Sequence, residues 1–269
     1  MKNVFTTIAL LFLTVTGYAQ QTDVTPVQPL KLHHAEPLYV DLIRDLGARK
    51  GERELNVGFG VNDEKDYTSY SGFAEYEFAV ADRLGLEIEV PFEMYAHNPN
   101  KQDYALPGNR IEGIKLATQY TFLVSAKYQT SMAVGYIQEM EFSTLSDIDH
   151  NAPLFEGTKY NPIFVAATRL TPHIHTLLYT GPAIEQSFKD NSWDTTMEVN
   201  ANLHYVFTNG NFVGLETNMV FSNGKPSFVL RPQFKVAFSK DVSVGVLAGI
   251  PASGDSHGIS AMTRMIWVP

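Results

Sequence analysis

Two groups of residues could do chemistry. Glutamates recur at alternate positions: Glu75 and Glu77, then Glu87 and Glu89, with Glu54 before them and Glu93 after. In an extended chain alternate residues share a face, so each pair turns two carboxylates to one side. The same spacing sets Glu198, Asn200, Asn202 and His204 together, then Glu216 with Asn218, then Arg231 with Gln233 and Lys235; Arg264 follows near the end. Opposed acidic and basic walls would put a transverse field across an enclosed space, which selects ions and small polar solutes. The second group is scattered. Asp255-Ser256-His257 are adjacent in sequence, whereas a catalytic triad needs hydrogen-bonded geometry. His173 and His175 share one side of an extended chain but lack a third ligand nearby. Phosphate-binding loops and nucleotide fingerprints are absent. No catalytic residue, metal or cofactor is expected.

The glutamates need strands to hold them. From Arg53 the chain alternates with period two, with Leu55, Val57, Phe59 and Val61 on one face and Glu54, Asn56, Gly58, Gly60 and Asn62 on the other. Strands are predicted at about residues 53–62, 70–80, 86–93, 114–122, 130–142, 161–171, 174–188, 193–207, 212–222, 227–238, 242–252 and 258–268, twelve in all. Those beginning at Asn161 and Ile174 alternate poorly, and their faces stay unassigned. Most run to ten or more residues, whereas soluble strands average about five or six. Roughly ten residues at a steep tilt cross a bilayer. Aromatics gather at strand ends, among them Tyr70, Phe92, Tyr128, Trp193, Phe207, Phe238 and Trp267, as interfacial girdles would. Connections alternate between short turns, such as Thr208-Asn209-Gly210-Asn211, and longer segments, such as Ala96–Glu112 and Ser143–Tyr160. That asymmetry is the habit of outer-membrane barrels, whose short turns are periplasmic.

Composition agrees. The 269 residues contain no cysteine and carry a net charge of −9. Residues 1–19 combine Lys2, an apolar core from Ile8 to Val15 and Gly17-Tyr18-Ala19, the pattern of a cleaved export signal. Loss of Lys2, the one charge in that leader, takes −9 to −10. An acidic exported chain is a poor nucleic-acid partner. Without disulfides, stability must come from a core or a bilayer.

Between leader and strands, residues 20–50 form a polar lead-in followed by a predicted amphipathic helix, Glu36–Leu46. Leu38, Leu42 and Leu46 stack at spacings of four, Pro37 stands in the first turn and Gly47 stops it. Such a short helix must dock to persist. It would plug the lumen as a gate or cover the periplasmic mouth, with Arg49 and Lys50 pairing with lumenal glutamates or lipid phosphates.

The signal ending Gly17-Tyr18-Ala19-Gln20, the even run of long strands and Trp267 beside the carboxyl end resemble the Gram-negative outer-membrane β-barrel superfamily, Bacteroidota members especially. The chain also looks like the outer-membrane transporters grouped with the MetA-type phenol-degradation proteins. The resemblance covers about Arg53 to Pro269. It implies a terminal aromatic insertion signal, although Val268 and Pro269 follow Trp267 here. Barrels resembling outer-membrane phospholipases carry a His two residues before a Ser-Asn pair; Ser222-Asn223 has Val220 there, so an enzyme is not expected.

The fold class expected is therefore all-β: a closed antiparallel transmembrane barrel of about twelve strands, residues 51–269, with a short amino-terminal helix and both termini periplasmic. Its lumen would be lined by Glu75, Glu77, Glu87, Glu89, Glu198, His204, Glu216, Arg231, Lys235 and Arg264. The expected activity is passage of small polar solutes or ions. The alternatives are a closed structural or adhesive barrel and, further off, a lipid-active enzyme. Expected partners are outer-membrane lipid, lipopolysaccharide, the barrel-insertion machinery and small solutes.

Overall fold

The computed structural model describes residues 28–40, 42–64, 66–98, 105–150, 152–222, 225–253 and 258–269. The expected export signal, Asn223-Gly224 and Asp255-Ser256-His257 lie outside the described residues. Thirteen strands are found among the described residues: β1 (Arg53–Asp63), β2 (Tyr67–Ala81), β3 (Leu84–His97), β4 (Arg110–Ile111), β5 (Gly113–Ser125), β6 (Thr130–Phe142), β7 (Phe155–Arg169), β8 (Ile174–Ser187), β9 (Trp193–Val206), β10 (Phe212–Ser222), β11 (Lys225–Ala237), β12 (Val242–Ser253) and β13 (Ser260–Trp267). Twelve of them form the barrel. The two-residue β4 only extends the edge of β3, pairing with Phe92 and Glu93. A five-residue helix, α1 (Leu145–Asp149), sits between β6 and β7, its Thr144 hydroxyl accepting the Asp147 N–H.

Every pairing is antiparallel, and the sheet closes because β1 has partners on both sides. Leu55 to Asn62 run against Trp267 to Ser260 of β13, and Arg53 to Asp63 against Phe78 to Thr68 of β2. Closure removes the free sheet edge, a requirement for strands in lipid, where water cannot satisfy an orphan N–H.

The faces are inverted relative to a soluble barrel. Phe59, Ile88, Leu116, Leu203, Val213, Phe234 and Met265 are exposed on the outside, whereas Asn56, Glu75, Gln119, Asn200, Asn202, Glu216 and Gln233 are buried within. Water outside would not select that arrangement; hydrocarbon would. Tyr128, Trp193, Phe207, Phe238 and Trp267 are exposed at strand ends, as expected of the two girdles.

Where alternation failed, the inner wall is apolar too. Ile163, Val165 and Ala167 of β7 and Leu177 and Tyr179 of β8 point inward and are buried. Polar residues line most of the wall, but this quadrant packs against protein, and so its two faces read alike in sequence.

Candidate functional site

What the apolar quadrant packs against is the amino-terminal segment. The described residues of 28–52 enter at the short-turn mouth, reach into the lumen as far as Tyr39 and Val40, and return to the same mouth. The two limbs pass close at the base: a Cβ on Gly47 would lie 3.5 Å from the Leu30 carbonyl oxygen. At the rim Gly51 N–H donates to Ala79 O at 2.9 Å and Arg83 N–H to Ala48 O at 2.6 Å.

The expected helix Glu36–Leu46 is not there; the described residues of this stretch form bends and turns. The physical reason lies in the hydrogen bonds. Ala35 N–H donates to His175 Nδ1 at 2.9 Å, Leu38 N–H to Gln233 Oε1 at 2.8 Å, and Gly47 N–H to the Thr121 hydroxyl at 2.9 Å. Tyr39 and Val40 both donate to the Glu216 carboxylate, at 3.2 and 3.0 Å. A helix would direct such donors to its own carbonyls; here wall side chains take them. The leucines are nevertheless buried as their spacing demanded. Leu42, Ile43 and Leu46 pack with Ala117, Ala133, Val165, Ala167 and Leu177, and Leu38 packs with Phe212 and Leu247. Each such burial contributes roughly 1.5–3 kcal/mol. Glycines in the wall make room: a Cβ on Gly85 would lie 2.4 Å from Arg44 Cβ, and one on Gly245 2.4 Å from a Leu38 methyl.

Charge fixes the returning limb. Arg44 reaches Glu54 at 2.9 Å and Glu77 at 2.8 Å, all three side chains being nearly solvent-free. Its carbonyl accepts from Gln119 Nε2. Asn56 Nδ2 bridges Glu75 and Glu77 at 2.8 and 2.7 Å, and Arg264 pairs with Glu75 at 2.8 Å. The basic and acidic walls expected to oppose each other therefore meet here. β13 and β2 flank β1, whose inward Gly58 and Gly60 carry no side chain, so Arg264 reaches across. At the base Lys31 holds Asp45 at 2.5 Å and Glu52 at 2.6 Å. Arg49 and Lys50 sit on the rim and form no ion pair among the described residues; Lys31 and Arg44 take the role expected of them.

At the tip the Arg231 guanidinium carbon lies 3.4 Å from the centre of the Tyr39 ring, and Arg231 also donates to Asn218. Asn218 and Gln233 donate to Glu216 as well, at 2.8 and 3.3 Å, so the carboxylate that anchors the tip is wholly buried yet multiply hydrogen-bonded.

Open space lies on both sides of this segment. Towards the long connections are cavities of about 340 and 510 Å³, both lined by Tyr39 and Val40. Towards the short turns is one of about 200 Å³, lined by Lys31, Glu36, Leu38, Arg44 and Lys235. Among the described residues, eight glutamates and four basic residues line the two former cavities.

Of the residues expected in the lumen, Glu75, Glu77, Glu87, His204, Glu216, Arg231 and Arg264 are buried, and Glu89, Glu198 and Lys235 half-buried. Lys235 lies below the segment, over the Phe212 ring at 5.2 Å. His204 is wedged edge-on to Phe212, 4.6 Å between ring centres. His173 and His175 part company: the first contacts Val206 O and stacks on Tyr205, the second accepts from Ala35. Sequence reading set Gln233 beside Arg231 but missed the rest of the anchoring set, Thr121, Gln119, Tyr39 and Arg44. Its signal was the inward Gln and Thr in strands otherwise assigned by their apolar face.

Fold and lumen together define a transmembrane β-barrel of the outer-membrane type with its own amino-terminal segment folded inside. The chain belongs to the HAEPLYID-like family, which matches residues 30–268. The eight letters of that name read here as His34-Ala35-Glu36-Pro37-Leu38-Tyr39-Val40-Asp41, one residue different, and the first seven of these residues fall on the limb that enters the lumen. No curated protein matches the chain. Among solved structures it is similar to the KdgM porin in complex with disordered oligogalacturonate (TM-score 0.55, 12% identity, 79% of this chain and 98% of that one). It is likewise similar to the NanC porin (TM-score 0.56, 11% identity, 80% and 99%). At such identities the likeness is one of fold.

Proposed function

We propose that the protein is an outer-membrane channel for ions or small polar solutes, resting closed behind its amino-terminal segment. The observation that carries this reading is the partition itself: polar cavities on both sides of a segment held to the wall by hydrogen bonds, ion pairs and the buried side chains of Leu38, Leu42, Ile43 and Leu46. Neutral hydrogen bonds of this kind exchange with water at about 0.5–1.5 kcal/mol each, and the segment contributes no strand to the sheet, so it can leave without breaking a strand pairing. Glutamate excess in the outer cavities favours cations or neutral solutes. A polyanion such as the oligogalacturonate of the similar porin would be repelled there. In this reading both termini are periplasmic, Trp267 serves the insertion machinery, the exposed apolar belt meets lipid and lipopolysaccharide, and no chemistry is performed.

Planar-bilayer recording tests it. The mature chain is expected to conduct rarely, and a chain lacking residues 20–50 to conduct steadily with cation preference. Silence from both, with folding verified by heat-dependent gel mobility, would favour the closed structural barrel and reject the channel.

A further inference from the structure

On the lumenal face of β2 and β3 the register sets Glu75 directly opposite Glu89 and Glu77 directly opposite Glu87. Like charges opposite one another destabilise a sheet unless something compensates them. Three of the four are compensated by protein cations: Glu75 by Arg264 at 2.8 Å, Glu77 by Arg44 at 2.8 Å, and Glu89 by Lys115 at 2.9 Å. Among the described residues Glu87 has neither an ion pair nor a hydrogen bond, although it is only 7% exposed. Its carboxylate is aimed at its neighbours: one oxygen each from Glu75, Glu87 and Glu89 lie within 4.8 Å of one another. All three also line the cavity of about 340 Å³, so solvent can reach them.

From this geometry we infer a divalent-cation site on the barrel wall, with Glu75, Glu87 and Glu89 as carboxylate ligands and Ca²⁺ as the preferred ion. Three carboxylates are hard oxygen donors, which suit Ca²⁺ or Mg²⁺ and not the softer metals that seek nitrogen or sulfur. Oxygens bound at about 2.3–2.6 Å lie no more than roughly 5 Å apart, so the cluster can close on Ca²⁺ with little movement; Mg²⁺ at about 2.0–2.1 Å would require contraction. Water from the cavity would complete the coordination. The ion supplies the fourth cation that the row of four glutamates lacks. The site does not depend on whether the barrel conducts.

The test is calorimetric titration with CaCl₂ of the mature protein, refolded in detergent free of lipopolysaccharide and stripped with chelator. One saturable site is expected, weakened at least tenfold in Glu87→Gln and filled less tightly by MgCl₂. No saturable binding by the unaltered protein overturns the proposal, and so does equal affinity in a folded Glu87→Gln. Should that variant not fold, Glu89→Gln is titrated instead, and unchanged affinity there is equally fatal. Heat-dependent gel mobility verifies folding in each case, and conductance is not consulted.

Discussion

Arg44 ties the inserted segment to the wall by charge. It is nearly solvent-free and faces two carboxylates, Glu54 and Glu77, that belong to the wall. Removing one partner of a buried pair leaves the other charge stranded, at about 3–5 kcal/mol, whereas an exposed pair contributes about 0–1 kcal/mol. Arg44→Met is therefore expected to raise protease cleavage within residues 28–50 by two orders of magnitude or more, with the barrel still folded by gel mobility. Lys240→Ala, at the exposed Lys240–Asp241 pair, should leave cleavage unchanged. Equal cleavage in the unaltered protein and Arg44→Met would remove Arg44 from this role. In a helix of the expected spacing Arg44 and Asp45 would face away from the leucines. Only the register of β1 and β2 reveals that Glu54 and Glu77 wait for that guanidinium.

At the scale of the element, the inserted segment shows why periodicity located its apolar contacts and mistook its backbone. Leu38, Leu42 and Leu46 are buried as a stripe would be, but on two separate apolar patches. The Leu38 N–H and those of Ala35, Tyr39, Val40 and Gly47 find acceptors 74 to 195 residues away in sequence, from Thr121 to Gln233. Local pattern carries no information about such partners. Gly47, the expected helix stop, adopts a left-handed conformation, φ 81°, and turns the chain at the rim. The same segment carries titratable groups of opposite sign. His34 is held at about 4 by burial, with the charges of Arg169 and His175 adding to it. Insertion therefore favours the neutral ring; its contribution is full above about 6.5, the ordinary histidine value, and is lost as pH falls towards 4. Glu36 is raised by burial, then by Asp45 and Glu54, so it favours insertion at low pH and weakens it as pH rises. The diagnostic is thus a difference: protease protection of the unaltered protein relative to His34→Gln should be constant above pH 7 and decline between 6.5 and 4. A flat ratio would show that His34 does not sense its burial.

For the whole molecule, the barrel was legible because lipid imposes a simple rule on every strand, apolar outward and polar inward, repeated with long and short connections in turn. The rule blurs where protein fills the lumen, most of all at Ile163–Ala167 and Leu177–Tyr179, and it is silent about β4, too short to show any period. It also makes a quantitative claim about depth. Val90 lies midway along β3 and faces outward, 38% exposed, one residue from the inward Glu89. A lysine at the bilayer midplane costs about 2–4 kcal/mol, falling to about 0–1 kcal/mol at the interface. Tyr128, 66% exposed in the turn between β5 and β6, occupies such an interface. Val90→Lys should therefore destabilise the protein by about 2–4 kcal/mol in reversible urea unfolding from phospholipid vesicles, and Tyr128→Lys by about 1 kcal/mol or less. An outer surface that met water would tolerate both lysines alike, because each side chain is already exposed and the ammonium would remain hydrated. Equal stabilities for the two variants would thus place the belt in solvent, and a gap of the expected size places Val90 in hydrocarbon with the glutamate row directly behind it.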